Sequence, residues 1–295
     1  MNIMGNEDAK WINHEYLYTY QIASRVEHVA INFSSYFREL EALTLDLGIS
    51  DFISHWQKES ALHKFIRYIA DGILESENSG KNRIPYGDPT RPKWTLPLEA
   101  AFVIYELQEE VGFEIPKIPP IEKKNGNLTV VEDAPELLDA CYEYFQDMRW
   151  TQIYEDLMQR ISDEVFYVMF TNRVALQGLH EYLAFYVKQC EPEFFEEDHP
   201  DLIRCFSGSG KLKRTKIPKW ARRAVFFRDR GICTKCKKDI SGLLDRFNVE
   251  NYDHMVPLAN GGLNDVTNLQ LLCESCNKSK SATSLLVSNS YQRWY

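Results

Sequence analysis

Through most of the first two hundred residues, apolar side chains return every three or four positions. That spacing builds one face of a helix rather than the alternating faces of a strand. From about Tyr16 to Leu47 the repeat passes through Ala23, Val26, Val29, Ala30 and Phe33, and Gly48 supplies a stop. Ser50 and Asp51 are cap residues for a second helix, predicted to run to about Leu74. A breaker-rich stretch with Gly80, Pro85, Gly87, Pro89 and Pro92 comes next, then a short helix opening at Pro97 and ending near Gly112. Pro116, Pro119 and Pro120 mark another loop. Two or three more helices are predicted between about Pro135 and Cys190, with the aromatic-rich run from Val165 to Tyr186 as core.

The pattern changes after residue 206. Ser207-Gly208-Ser209-Gly210 leads into Lys211-Leu212-Lys213-Arg214-Thr215-Lys216, which reads as a flexible linker with a basic end. It is no phosphate loop, since the earlier Gly at fixed spacing is missing and Leu212 stands where Ser or Thr follows the Lys. Pro218 suits the first turn of a helix from Lys219 to about Arg230, with Trp220, Ala224 and Phe227 along one face and Arg222, Arg223 and Arg230 elsewhere. A β-prone run from Val249 to Leu258, a loop at Gly261 and Gly262, a return strand in Asn268–Leu272 and a short helix complete a ββα unit. The predicted class is α+β, with a mainly helical domain over 1–206, a linker over 207–216 and a small ββα domain over 217–295.

At 295 residues and 44% hydrophobic types, the chain suffices for two ordinary domains. No apolar run approaches a membrane span and the N-terminus lacks the basic start and apolar centre of a signal peptide, so a cytoplasmic chain without membrane contact is expected. The net charge of -9 hides a division. Residues 1–206 hold 18 Lys plus Arg against 36 Asp plus Glu, a net of -18, whereas residues 207–295 hold 16 against 7, a net of +9. Two solvated surfaces of opposite sign would satisfy that split, but a basic region of this size favours contact with phosphate.

Seven cysteines fall into two groups. Cys141, Cys190 and Cys205 are isolated and read as buried structural thiols. Cys233, Cys236, Cys273 and Cys276 form two Cys-x-x-Cys turns, which place four thiolates around one tetrahedral zinc ion. Four sulfur ligands leave no open position for water, so this zinc is structural. It ties together the ends of the inserted ββα unit. In the acidic part, His55 and His63 lie about 80° apart around a helix and read as ordinary hydrogen-bonded or partly exposed histidines.

The motifs CTKC, DHMVPLANGG and NLQLLCESCNKSK, in that order, resemble the zinc-containing branch of the HNH endonucleases over about residues 217–281. The resemblance implies a metal-dependent endonuclease that hydrolyses phosphodiester bonds in DNA. His254 is then the general base, and Asp253 with Asn277 supplies hard oxygen ligands for a catalytic Mg²⁺ or Mn²⁺ beside the structural Zn²⁺. An imidazole titrating near neutrality suits that base. The same resemblance makes Asn268 the residue that braces the loop and orients His254. Arg222, Arg223, Lys278 and Lys280 are candidates for phosphate contacts. Asn277 stands where the family name has its last His, which favours hard ions over softer ones.

The competing reading is a zinc module that grips nucleic acid without cutting it. The presence of His254 with both metal-ligand positions speaks against it. Residues 1–206 carry no motif that converts into chemistry. Their expected role is regulation, substrate positioning, or assembly with a protein partner or a second copy, as in a bacterial defence or restriction effector held inactive until triggered.

Overall fold

The computed structural model describes residues 6–45, 48–53, 56–87, 90, 93–115, 121–124, 127–130, 135–195, 199–208, 210–242, 252–280 and 287–289. In chain order the helices and strands are α1 (Asn6–Ile31), α2 (Phe37–Leu45), α3 (Ser50–Ile53), α4 (Ala61–Glu77), β1 (Ile84–Tyr86), β2 (Lys93–Thr95), α5 (Pro97–Ile104), β3 (Ile121–Lys124), β4 (Asn127–Val130), α6 (Pro135–Met148), α7 (Gln152–Met169), α8 (Arg173–Val187), α9 (Pro200–Ile203), α10 (Lys219–Arg228), β5 (Tyr252–His254), β6 (Leu269–Leu271) and α11 (Glu274–Ser279). The class is α+β, with three two-stranded antiparallel sheets among the mainly helical described residues. No helix among the described residues is long and apolar enough to cross a membrane.

Several boundaries differ from the periodicity for local reasons. The first helix breaks after Ile31, where the Asn32 side chain donates to the His28 carbonyl at 2.8 Å and a single 3₁₀ turn at Phe33–Ser35 follows. The expected second helix splits into α3 and α4. Ser60 stands just before α4, and the ring Nδ1 of His63 accepts from the Ser60 backbone N–H at 3.1 Å, a reciprocal cap in the manner of a capping box. His63 is therefore a buried, bonded histidine, while His55 lies outside the described residues. α5 stops at Ile104 because Glu106 takes a left-handed φ of 54° and Leu107 N–H returns to the Phe102 carbonyl at 2.8 Å.

By internal contacts the chain divides into two compact units, Met1–Ala23 with Ile66–Val165 and Ser24–Phe65 with Phe166–Tyr295. The dividing points fall within α1, α4 and α7. This is a different division from the one that charge and composition suggest at residues 206 and 217. In the first unit, Ile22, Leu74, Phe102, Phe145, Leu157 and Val165 are buried. Its polar interior is satisfied by carboxylates. Glu99 accepts from Gln108 Nε2 at 2.7 Å and from Tyr144, and Asp71 accepts from Tyr154 at 2.6 Å and pairs with Arg149.

The second unit joins helical segments from both sides of the sequence to the ββα region. One of its cores consists of Ile217, Ala221, Val225, Ile240, Tyr252, Leu269 and Leu271, with Trp56 and Phe170 from far upstream packed against it. At its centre lies Asp229. Arg173 of α8 donates to Asp229 Oδ1 at 3.0 Å, Arg228 grips both oxygens at 2.8 and 3.0 Å, and Leu271 N–H donates to Oδ2 at 2.9 Å. All three charged side chains are at most 1% exposed. Gly178 of α8 permits a further close approach, since a Cβ there would lie 2.2 Å from the Ala30 carbonyl oxygen.

Two expectations fail in this unit. The described residues between 207 and 216 are held rather than free. Phe206 bridges Leu212, Lys213 N–H donates to the Cys205 carbonyl at 2.8 Å, and Leu212 is buried. The buried face of α10 is centred on Ala221, Val225 and Arg228, with Trp220 and Ala224 at its edges, while Phe227 is 74% exposed. Hydropathy misplaced that face because two of its buried residues, Arg222 and Arg228, are charged.

Candidate functional site

The two Cys-x-x-Cys turns converge. The four Sγ atoms of Cys233, Cys236, Cys273 and Cys276 all lie within 4.8 Å of one another, a cluster that fits a structural zinc ion. The first turn tightens through Lys237 N–H to the Cys233 carbonyl and a left-handed φ of 64° at Lys237. It is fastened to β6 by Thr234 N–H to the Leu271 carbonyl, both bonds being 2.9 Å. Cys273 precedes α11, so the same cluster fixes where that helix starts and where Asn277, one turn later, emerges.

β5 and β6 pair antiparallel, with Asp253 opposite Gln270 and His254 opposite Leu269. Thr234 donates to Gln270 Oε1 at 3.0 Å, and Gln270 Nε2 donates to Asp253 Oδ2 at 3.2 Å. A buried relay thus runs from the cysteine turn to the carboxylate, and Gln270 orients it. The only sign of this in the sequence is a lone polar residue inside an apolar strand. Lys280 Nζ also reaches Asp253 Oδ2, at 2.5 Å, and the His254 carbonyl at 2.6 Å.

Asn268 is fully buried. Its Oδ1 accepts from Val256 N–H at 2.9 Å and its Nδ2 donates to the Val256 and Leu263 carbonyls, each at 3.0 Å. The loop directly after His254 is therefore closed on one amide. Gly262 completes the closure, because a Cβ there would lie 1.9 Å from the Val256 oxygen.

His254 is 2% exposed, and its ring nitrogens lack a well-aligned hydrogen bond among the described residues, although the Asn264 side chain lies close enough to act on the imidazole and raise its pKa. A buried ring with both nitrogens so placed is available to a group entering the cleft. Trp56 covers the imidazole, with ring centroids 6.4 Å apart, and its Nε1 is tied to Thr215 Oγ1 at 2.8 Å. Burial pushes the imidazole pKa down to about 3, aided by the positive charges of Arg214 and Lys280. The expectation of titration near neutrality is thus corrected. The shift keeps the ring in its neutral form, the form a base requires.

His254, Asp253, Asn277, Lys280 and Arg214 border one cleft of about 560 Å³. The basic candidates divide. Arg222 is buried, Lys280 is committed to Asp253, Lys278 is exposed and paired with Glu274, and Arg223 is exposed on α10. Asp253 and Asn277 fit a hard cation by their donors, since Asp253 Oδ1 accepts no hydrogen bond among the described residues and Asn277 adds an amide on the same cleft.

The HNH endonuclease family model matches residues 233–283. Over these residues the chain carries an HNH endonuclease-like domain. The match spans both cysteine pairs, β5, β6 and α11, which places the cleft in a nuclease-type, nucleic-acid-binding family. No curated protein and no solved structure matched the chain.

Residues upstream of the HNH domain support it. Asp265 Oδ2 accepts from Ala61 N–H at the start of α4, at 2.9 Å. Thr267 gives its hydroxyl hydrogen to Asp265, so the 2.8 Å contact between Thr267 and His180 has His180 Nε2 as donor. Burial holds His180 down at about 4, against an ordinary value near 6.5, with Asp265 opposing. Between those values the unfolded chain binds a proton that the folded chain refuses. Stability is therefore expected to fall as pH drops from 6.5 to 4, by ~1.4 kcal/mol per pH unit for this group. Urea midpoints across that range should show a shallower slope in His180→Gln. Equal slopes would refute the assignment.

Proposed function

We propose that the chain is a divalent-metal-dependent endonuclease that hydrolyses phosphodiester bonds in DNA. The observation that carries this reading is the buried imidazole of His254, held neutral at the edge of a cleft that also presents Asp253 and Asn277. His254 takes the proton of the attacking water. Gln270 and Asn268 hold Asp253 and the loop after His254 so that neither reorganises during the reaction. Asp253 and Asn277 would hold Mg²⁺ or Mn²⁺, which when bound neutralises phosphate charge and stabilises the leaving 3′ oxygen. An unrestrained nuclease would damage its own cell, so the reading includes restraint by a protein partner or a second copy, as in bacterial defence or restriction.

The test is cleavage of a supercoiled plasmid by the full chain with Mg²⁺ or Mn²⁺, with and without chelator. Nicking is expected with the ions and none with chelator. Asp253→Ala and Asn277→Ala should cut more slowly and need higher concentrations of the ion. Wild-type cleavage undiminished by chelator, with both variants insensitive to the ion, would remove the metal from the account.

A further inference from the structure

The segment Ser207–Thr215, which the nuclease chemistry does not use, supplies one wall of the cleft through Ser207, Lys211, Leu212 and Arg214. The residues on both sides of Arg214 are tied to other parts of the chain. The Lys213 carbonyl accepts from Asn264 Nδ2 at 2.8 Å, and Thr215 Oγ1 accepts from Trp56 Nε1 at 2.8 Å. The turn before it is closed by Ser207, whose N–H and hydroxyl both donate to the Lys211 carbonyl, at 2.7 and 2.9 Å. Buried Leu212 and Ile217 anchor the segment from below.

Arg214 and Lys211 are themselves exposed, and neither side chain has an ion-pair or hydrogen-bond partner among the described residues. Both cations lie in the basic part of the chain, residues 207–295 with a net of +9, and both border the cleft. Across the cleft, Lys280 is occupied by Asp253. A negative group entering beside His254 thus meets its available positive charge on this wall.

We propose that Arg214 binds the scissile phosphate through its non-bridging oxygens and that Lys211 binds a neighbouring phosphate of the same duplex. The proposal rests on the nuclease reading for the word scissile, and on the wall alone for phosphate binding. Arg214 presents a planar fork matched to two phosphate oxygens, and the contacts of Lys213 and Thr215 hold its attachment point at the cleft. Charge accumulating on those oxygens in the transition state strengthens the contact, so Arg214 acts on turnover as well as on binding.

The test compares full-length Arg214→Ala, Arg214→Lys and Lys211→Ala with the wild-type chain in plasmid cleavage. A second arm measures affinity for a duplex oligonucleotide over a salt series in the His254→Ala background. Arg214→Ala is expected to cut about 100-fold more slowly, with Arg214→Lys intermediate because it keeps the charge and loses the fork. Each alanine variant should lower the slope of log affinity against log salt by about one. Cleavage by Arg214→Ala within about twofold of wild type, or salt slopes unchanged in both alanine variants, overturns the proposal. If the wild-type chain cuts nothing with Mg²⁺ or Mn²⁺, the nuclease reading falls, and lowered salt slopes would still support the phosphate site.

Discussion

Cys233→Ser and Cys273→Ser are expected to leave the chain without zinc and with the region from α10 to α11 unfolded. Four thiolates gathered within 4.8 Å repel one another as anions, and a tetrahedral ion turns that repulsion into binding. For small zinc modules the binding free energy is of order 10 kcal/mol and appears as folding free energy. That equals or exceeds the whole stability of many domains, ~5–15 kcal/mol. Here it also holds the site, because Thr234 in the first turn bonds Gln270 and Cys273 sets the start of the helix that carries Asn277. Elemental analysis should give about one zinc per wild-type chain and far less in either variant, with urea midpoints falling together. A variant free of zinc and as stable as wild type would show that the ion in this cluster contributes nothing to the fold.

Asp229→Ala should be the most damaging change away from any metal. The substitution would leave Arg173 and Arg228 buried with their shared anion gone, and would remove the acceptor for Leu271 N–H in β6. Losing one partner of a buried ion pair costs roughly 3–5 kcal/mol, mostly from the stranded charge. Both arginines keep one other bond, Arg173 to the Ser288 carbonyl and Arg228 to the Leu269 carbonyl, which moderates the loss without removing it. Chemical denaturation should show the midpoint falling with zinc content retained at low denaturant. A loss below about 1 kcal/mol would mean that water reaches the arginines and that the cluster is less buried than described.

What could be read from the sequence was local. Two Cys-x-x-Cys turns, a strand bearing Asp253 and His254, a Gly-Gly loop and a short helix each announce themselves within a few residues, and the structure assembles them into the expected ββα unit. Asn268 closes the loop after His254 as a buried Asn at a turn should. What escaped lies at long sequence separation. Ala61 and Asp265 are 204 positions apart, Trp56 and Thr215 159, and His180 and Thr267 87, and none of these pairs has a periodic signal. Their trace is a polar residue where apolar neighbours predict core, as with Arg173 and His180 in the run taken as helical interior. Charge was the weakest guide. Arg222 and Lys280 looked like surface cations and are buried or committed, whereas the segment taken for a linker lines the cleft.

The account stands most directly on one comparison, wild type against His254→Ala, made on protein shown by zinc content and urea midpoint to be equally folded. Removing this imidazole takes away at most a weak contact with Asn264, since neither ring nitrogen makes a well-aligned hydrogen bond within the described residues. The fold should survive, while plasmid cleavage in Mg²⁺ or Mn²⁺ should fall by about two orders of magnitude or more, as loss of a positioned base requires. Cleavage by His254→Ala at close to the wild-type rate would contradict the central claim and move the chemistry elsewhere in the chain.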